Sequence, residues 1–295
     1  MSIAVTPLQA PLGAEIGIDL REPVSEEGYA AIVDAINAHA VLVFRHDGPL
    51  TDEQQIAFGR GLGPLQQLTM IRMLAGDRAR PKYPELIDVS NLDEDGNIRA
   101  ADDRGRKYGD GNLLWHTDTS FDEVRGLYSV LSARVIPPVN GDGGGDTLFA
   151  DMRAAYDALD DAMKARLEGL VAEHSVWHSR ALGGLTEITE KERASRPPSR
   201  HLLVHVHPVS GRKCLYLASH ISHIVGIPED ESAAILAELR DHATQPEFVY
   251  RHKWRDGDVI MWDNLATMHR ATEFDSYTHV RDMRRVTVLE HEMTV

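Results

Sequence analysis

The triplet His116-Thr117-Asp118, taken with His269 far downstream, offers two imidazoles and a carboxylate in a spacing that can hold one divalent iron. In an extended strand residues i and i+2 point the same way, so His116 and Asp118 reach one ion while Thr117 faces away. A distant His269 closes one triangular face of an octahedron. The opposite face stays open for a chelating cosubstrate and dioxygen, the arrangement of a non-haem Fe(II) centre that activates oxygen. By itself a His-x-Asp triplet says little in a chain with 15 histidines and 46 acids, so its surroundings must supply the context.

The elements that would position these residues are mainly strands. β-type runs occur at 41–44, 86–89, 128–136, 202–206, 214–217, 248–250, 259–262 and 286–289, many separated by Gly-Asp, Asp-Gly or Ser-Gly turns. That is the pattern of an antiparallel sandwich or barrel. Helical periodicity appears in Tyr29, Ile32, Ala35 and Ile36, in Leu159, Met163, Leu167 and Leu170, and around Ile235, Leu236 and Leu239. Thr51 followed by Gln54 reads as a capping box that opens a further helix carrying Ile56 and Phe58. The helices are expected to cover the outside of the sheets. No repeat or long linker divides the 295 residues, so one domain over 1–295 is expected.

Composition narrows the class of protein. Apolar residues make up 42% and charged residues 26%, as in soluble globular chains. No run of roughly 18 apolar residues could span a bilayer, and the N-terminus lacks a basic and apolar leader, so a cytoplasmic location is the default. The net charge of −15 argues against nucleic acid or an anionic membrane as partner. The lone Cys214 excludes an internal disulfide, and its strand-like setting reads as a buried structural thiol. The glycine-rich run at 141–146 lacks a following Gly-Lys-Ser/Thr and precedes a strand, which argues against nucleotide binding.

Five motifs occur in an order that resembles the Fe(II)/2-oxoglutarate-dependent taurine dioxygenase family: Trp115-His116-Thr117-Asp118, Gly144-Gly145-Asp146-Thr147, the run from Val206 to Lys213, Trp262-Asp263-Asn264, and His269-Arg270. The resemblance covers roughly residues 3 to 290. Further runs at 41–45, 54–58, 151–159, 247–252 and 259–264 are most similar to the branch that acts on 2,4-dichlorophenoxyacetate. The resemblance implies a double-stranded β-helix, or jelly roll, flanked by helices. It implies His116, Asp118 and His269 as iron ligands, and Thr147 with Arg281 as the grip on 2-oxoglutarate. Arginine suits that task because its planar fork donates two parallel hydrogen bonds to a carboxylate. The interval from His269 to Arg281 is one residue longer than the usual family spacing, which would fall on Val280, so a single-residue insertion is placed in the loop.

Strand parity puts Arg281 and Arg285 on one face and Arg284 on the other, and the resemblance gives the later arginine the acidic group of the primary substrate. A local bulge would exchange the faces of Arg284 and Arg285. The same resemblance matches Asn112 to an asparagine that lies near the substrate in that family. Insertions are expected around 64–112 and 140–143. Arg72, Arg78, Arg80, Lys82, Arg99 and Arg104 in the first of these read as solvent-exposed charges, any of which could be a second carboxylate contact. Trp115 and Trp262 read as packing beneath the metal site, and His205 and His207 as structural.

The implied reaction consumes dioxygen and 2-oxoglutarate and hydroxylates the carbon beside the ether oxygen of an aryloxyacetate, releasing a phenol, glyoxylate, succinate and carbon dioxide. The alternatives are the same chemistry on taurine, another sulfonate, a sulfate ester or an aryloxypropionate, and, from another class, a non-catalytic metal-binding jelly roll. The expected partners are a small anionic substrate and further copies of the chain in a homo-oligomer.

Overall fold

The computed structural model describes residues 3–67, 80–138 and 144–291. Its largest sheet has seven strands, in the order Ala4–Pro7, Ala14–Gly17, Val41–Phe44, Val259–Asp263, Gly126–Val135, Asp282–Leu289 and Ile87–Ser90. A three-stranded sheet, Val249–His252, Thr147–Asp151 and Thr267–Ala271, lies across from it. Side-chain alternation explains the layering. Val41 and Val43, Leu131 and Ala133, Ile260 and Trp262, and Met283 point inward and pack with Phe149 of the smaller sheet. Their neighbours Leu42, Phe44, Val130, Met261, Val286 and Val288 point outward into a second cluster.

That outer cluster is covered by two helices. Glu26–His39 buries Ile32 and Ile36, and Asp52–Leu62 buries Ile56, Phe58 and Leu62. The capping box read from Thr51 and Gln54 is present, each satisfying a backbone N–H of the other. Gln55 is buried among these apolar residues and donates to the carbonyls of Val130 at 3.0 Å and Arg284 at 2.8 Å, tying the helix to two neighbouring strands of the large sheet. A third cluster, around Leu203, Leu215, Ile235 and Leu239, seats helix Glu229–Ala243 against the far end.

The structure bears out a mainly β chain with flanking helices. It also moves some boundaries. The run at 202–206 divides into Ser199–Leu202 and Val204–Val206, which pair in different sheets. The helix read across 159–170 is confined to Asp161–Leu167, because Asp160 caps its start and Gly169, at φ 72°, lies just beyond it. Residues 68–79 of the first expected insertion and the whole of the second, 140–143, lie outside the described residues, as do Arg72 and Arg78.

Candidate metal centre and anion sites

His116 and His269 are joined through their own backbones. The N–H of His116 donates to the carbonyl of His269 at 2.9 Å and the N–H of His269 to that of His116 at 2.8 Å, forming an isolated antiparallel bridge. The strand expected through His116 and Asp118 is therefore corrected: pairing stops at this bridge, and Asp118, Thr119 and Ser120 turn, with Thr119 at φ 56°. Thr117 fastens the turn, its hydroxyl lying 3.0 Å from the carbonyl of Leu217 and 3.2 Å from that of Thr267. The side chains still converge. Nε2 of His116 is 3.8 Å from Oδ1 of Asp118, and Nε2 of His269 is 3.7 Å from Oδ2.

One donor atom from each of the three lies within 4.8 Å of the others, and all three residues are buried. Nδ1 of His116 sits 2.7 Å from the carbonyl of Leu114, which can only accept, so Nδ1 carries the hydrogen and Nε2 keeps its lone pair toward Asp118. Burial pushes both imidazoles below their ordinary range, His269 well below it. Burial acts in the opposite sense on Asp118, but Arg285, the imidazoles and the Ser129 hydroxyl outweigh it and hold the carboxyl down at about 2. Two neutral imidazoles and one carboxylate are a donor set that fits divalent iron.

A cavity of about 470 Å³ opens beside His116 and His269, and Thr147, Arg281, Arg285 and Asn112 all line it. Arg281 is buried and makes no ion pair with a described residue. Its Nε donates to the Gly145 carbonyl at 3.1 Å, and burial lowers its pKa to about 10 even though Asp146 pulls the other way. Gly145 is required here: its φ is 71°, and a Cβ would stand 3.3 Å from the Arg281 side chain. Thr147 accepts a hydrogen bond from the indole of Trp254 at 3.0 Å. Asn91 secures the loop that carries Arg281, since its amide donates to the carbonyls of Ser276 and His279 and its Oδ1 accepts from the Arg281 N–H at 2.9 Å.

Strand parity places the next two arginines as expected. Arg285 shares the inward face of Met283, lines the cavity and pairs with Asp118. Arg284 turns away to Asp88 and Asp282. The register of Asp282–Leu289 shifts between Asp282 and Met283, but the extra residue, Arg134, lies on the partner strand Gly126–Val135, so the faces of the arginines are not exchanged. Asn112 lies in the short 3₁₀ turn Gly111–Leu113 and accepts from Arg180 at 3.5 Å.

Among the basic residues of 64–112, Arg80 pairs with Asp88 and Asp282, Arg99 with Asp103, and Arg104 with Glu192, and neither these nor Lys82 lines the cavity. The residue that does is Arg106, which no sequence signal marked. It reaches from helix Arg104–Asp110 to the Ser276 hydroxyl and lies 3.7 Å over the Tyr277 ring. Trp262 packs 4.7 Å from the His269 ring and also forms cavity wall, whereas Trp115 packs against the third cluster, away from the cavity. His207 pairs with the Asp263 carboxylate at 2.8 Å and His205 reaches the Leu265 carbonyl, so both hold structure outside the cavity. Cys214 is buried, and burial raises its thiol to about 12.

The chain resembles known proteins along its whole length. It is 44% identical over 291 residues to an alpha-ketoglutarate-dependent 2,4-dichlorophenoxyacetate dioxygenase of Cupriavidus pinatubonensis, covering 98% of this chain and 99% of that one. It is 38% identical to an (S)-phenoxypropionate/alpha-ketoglutarate-dioxygenase of Sphingobium herbicidovorans, over 92% of this chain and 90% of the other. The crystal structure of AAD-2 in complex with Mn(II) and N-oxalylglycine superposes with a TM-score of 0.93 at 45% identity, over 100% of both chains. The sandwich seen here is thus the jelly-roll core of such enzymes, with the histidine–aspartate–histidine cluster inside it. Residues 4–287 match the model of one family, and the chain belongs to it: the taurine catabolism dioxygenase TauD, TfdA family.

Proposed function

We propose that this chain is a 2-oxoglutarate-dependent non-haem iron dioxygenase that hydroxylates the carbon beside the ether oxygen of an aryloxyacetate such as 2,4-dichlorophenoxyacetate. The observation that carries the reading is that one cavity joins the two histidines of the donor set to two separate guanidinium groups, Arg281 and Arg285, one for each of two small anions. The relatives named for 2,4-dichlorophenoxyacetate and phenoxypropionate support an aryl ether as the second anion. The reading takes residues 1–295 as one domain with insertions near 64–112 and 140–143, acting in the cytoplasm as a homo-oligomer.

His116, Asp118 and His269 would hold Fe(II), which with 2-oxoglutarate and dioxygen supplies the oxidising power and leaves succinate and carbon dioxide. Arg281 and Thr147 take the far carboxylate of 2-oxoglutarate with charge-assisted and hydroxyl hydrogen bonds. Arg285 takes the carboxylate of the substrate, with Asn112 beside it. Fixing both acids leaves little freedom to the carbon between acid and ether oxygen, which is the positional part of catalysis. Leu113, Leu131 and Phe274 offer apolar wall to the aryl ring and keep water out. Hydroxylation yields a hemiacetal. Its carbon–oxygen bond to the aryl group then breaks, the electron pair leaves on the phenol oxygen with the hydroxyl proton, and the remaining carbons become glyoxylate.

Oxygen uptake and succinate formation, measured with Fe(II) and 2-oxoglutarate across phenoxyacetates, phenoxypropionates, taurine and alkyl sulfates, test the proposal. Phenoxyacetates are expected to give the largest stimulation, with one phenol and one glyoxylate per succinate. Strong turnover of taurine with no response to phenoxyacetates overturns the substrate. Metal binding without any coupled decarboxylation returns the chain to the class of non-catalytic jelly rolls.

A further inference from the structure

A carboxylate ligand is only as well aimed as the bonds that fix its last torsion, because rotation about the bond to an sp² carboxyl group is soft and has no sharp rotamer wells. For Asp118 one such bond comes from Arg285 and the other from the end of a chain of buried, uncharged side chains. The indole N–H of Trp262 donates to Oδ1 of Asn264 at 2.9 Å. Nδ2 of Asn264 donates to the Ser129 hydroxyl at 2.9 Å, and that hydroxyl donates to Oδ2 of Asp118 at 2.7 Å. Trp262, Asn264 and Ser129 are all at most 1% exposed.

The direction of this chain is forced. An indole nitrogen can only donate, so the Asn264 oxygen must face Trp262 and its NH₂ must face Ser129. The Ser129 oxygen is then occupied as an acceptor by Asn264, and its own hydrogen is left for Asp118. The carboxylate therefore always meets a donor at Oδ2, while Oδ1 faces His116 and Arg285. Strand alternation delivers the hydroxyl: Ser129 lies on Gly126–Val135 with the parity of the inward residues Leu131 and Ala133.

We propose that Ser129, oriented by Asn264 and Trp262, is the positioning residue for Asp118, and that it keeps the carboxylate aimed at the metal when Arg285 turns to the substrate acid. The inference rests on reading Asp118 as a metal ligand. It divides two tasks that one cation could not perform together. A neutral donor holds the ligand permanently, and the charged donor beside it stays available for an incoming anion.

The test is Mn(II) affinity of the full-length, metal-free protein, measured by calorimetric titration, with the visible absorption of the Co(II)-loaded protein as a second readout. Ser129→Ala removes the hydroxyl. Asn264→Asp keeps the shape but cannot donate when ionised, so it draws the Ser129 hydrogen to itself and reverses the chain. Each is expected to weaken Mn(II) binding by about ten- to hundredfold, the usual consequence of losing an outer-shell partner, and to change the Co(II) spectrum. The double variant should be no weaker than the worse single one, because both break the same chain. Gln55→Leu serves as the structural control: its amide braces the outward side of the same strand, so it should lower the urea midpoint and leave Mn(II) affinity within about twofold. If Ser129→Ala does not fold, the isosteric Asn264→Asp decides. Affinity within about twofold of the parent in either folded variant overturns the proposal, as does strict additivity of the pair. A parent protein that binds no Mn(II) overturns the ligand triad and this role with it.

Discussion

The indole of Trp254 donates to the oxygen of Thr147 at 3.0 Å; both side chains are buried, and Thr147 lines the cavity that holds Arg281. Because that bond uses Thr147 as an acceptor, its hydroxyl hydrogen remains to be given to an anion. Thr147→Val should therefore raise the KM for 2-oxoglutarate by about tenfold, the worth of one hydrogen bond to a charged group, with kcat little changed. Initial rates at saturating aryloxyacetate measure this, and an unchanged KM would remove Thr147 from the grip.

Arg281 carries a charge in a buried place with no ion pair among the described residues, a costly arrangement unless an anion arrives. Arg281→Met should accordingly have opposite effects on two measurements. Binding of 2-oxoglutarate should fall by a hundredfold or more, since two charge-assisted hydrogen bonds at about 1.5–3 kcal/mol each are lost. The urea midpoint of the protein without ligands should rise, corresponding to about 1 kcal/mol, as the desolvated charge disappears. A lower midpoint would mean that the guanidinium is better compensated than its surroundings indicate.

Arg284 and Arg285 are adjacent and should behave as different residues altogether. Arg285→Gln should raise the KM for the substrate acid by about a hundredfold and leave that for 2-oxoglutarate near the parent value, because of the two small acids in the cavity it partners only the substrate's. Arg284→Gln breaks its pairs with Asp88 and Asp282, and should cost about 1–3 kcal/mol of stability with little change in either KM. Steady-state kinetics and urea titrations on the two variants separate the roles, and a shared kinetic defect would contradict the assignment by strand face.

Burial lowers two imidazoles far from the ordinary range, His174 to about 3 and His205 to about 4. Their folded values lie below the unfolded value of about 6.5, so the unfolded chain takes up protons first as the solution is acidified. Stability should hold above about pH 6.5 and decline below it, by about 1.4 kcal/mol per pH unit for each residue, until the folded values are reached. Urea midpoints of the metal-free protein at pH 7.5 and 5.5 measure the decline. His174→Gln should reduce the slope, and an equally steep slope in that variant would point to other groups.

Much of this arrangement could be seen in the chain of residues because strand alternation converts spacing into direction. That rule separated Arg285 from Arg284 and grouped His116 with Asp118, even though the latter pair proved to sit on a bridge and a turn. A one-residue gap between ligands tolerates such a change, since the side chains need only share a side. The residues that escaped notice are those whose work depends on neighbours distant in sequence. Ser129 is one of two buried serines on its strand, and only the fold brings it to Asp118. Arg106 stands two residues from Arg104 in a helix of seven residues, too short for periodicity to distinguish the one that lines the cavity. Trp254 and Asn91 likewise hold Thr147 and Arg281 across contacts that no local pattern encodes.

The reciprocal backbone pair between His116 and His269 joins positions about half the chain apart. It makes the centre a seam between the two halves of the polypeptide. Any opening that parts this seam withdraws ligands from both sides at once, so metal release would record the whole molecule coming undone and not the fraying of one loop. Retention of the ion during gradual denaturation is thus a direct gauge of how cooperatively the two halves hold together.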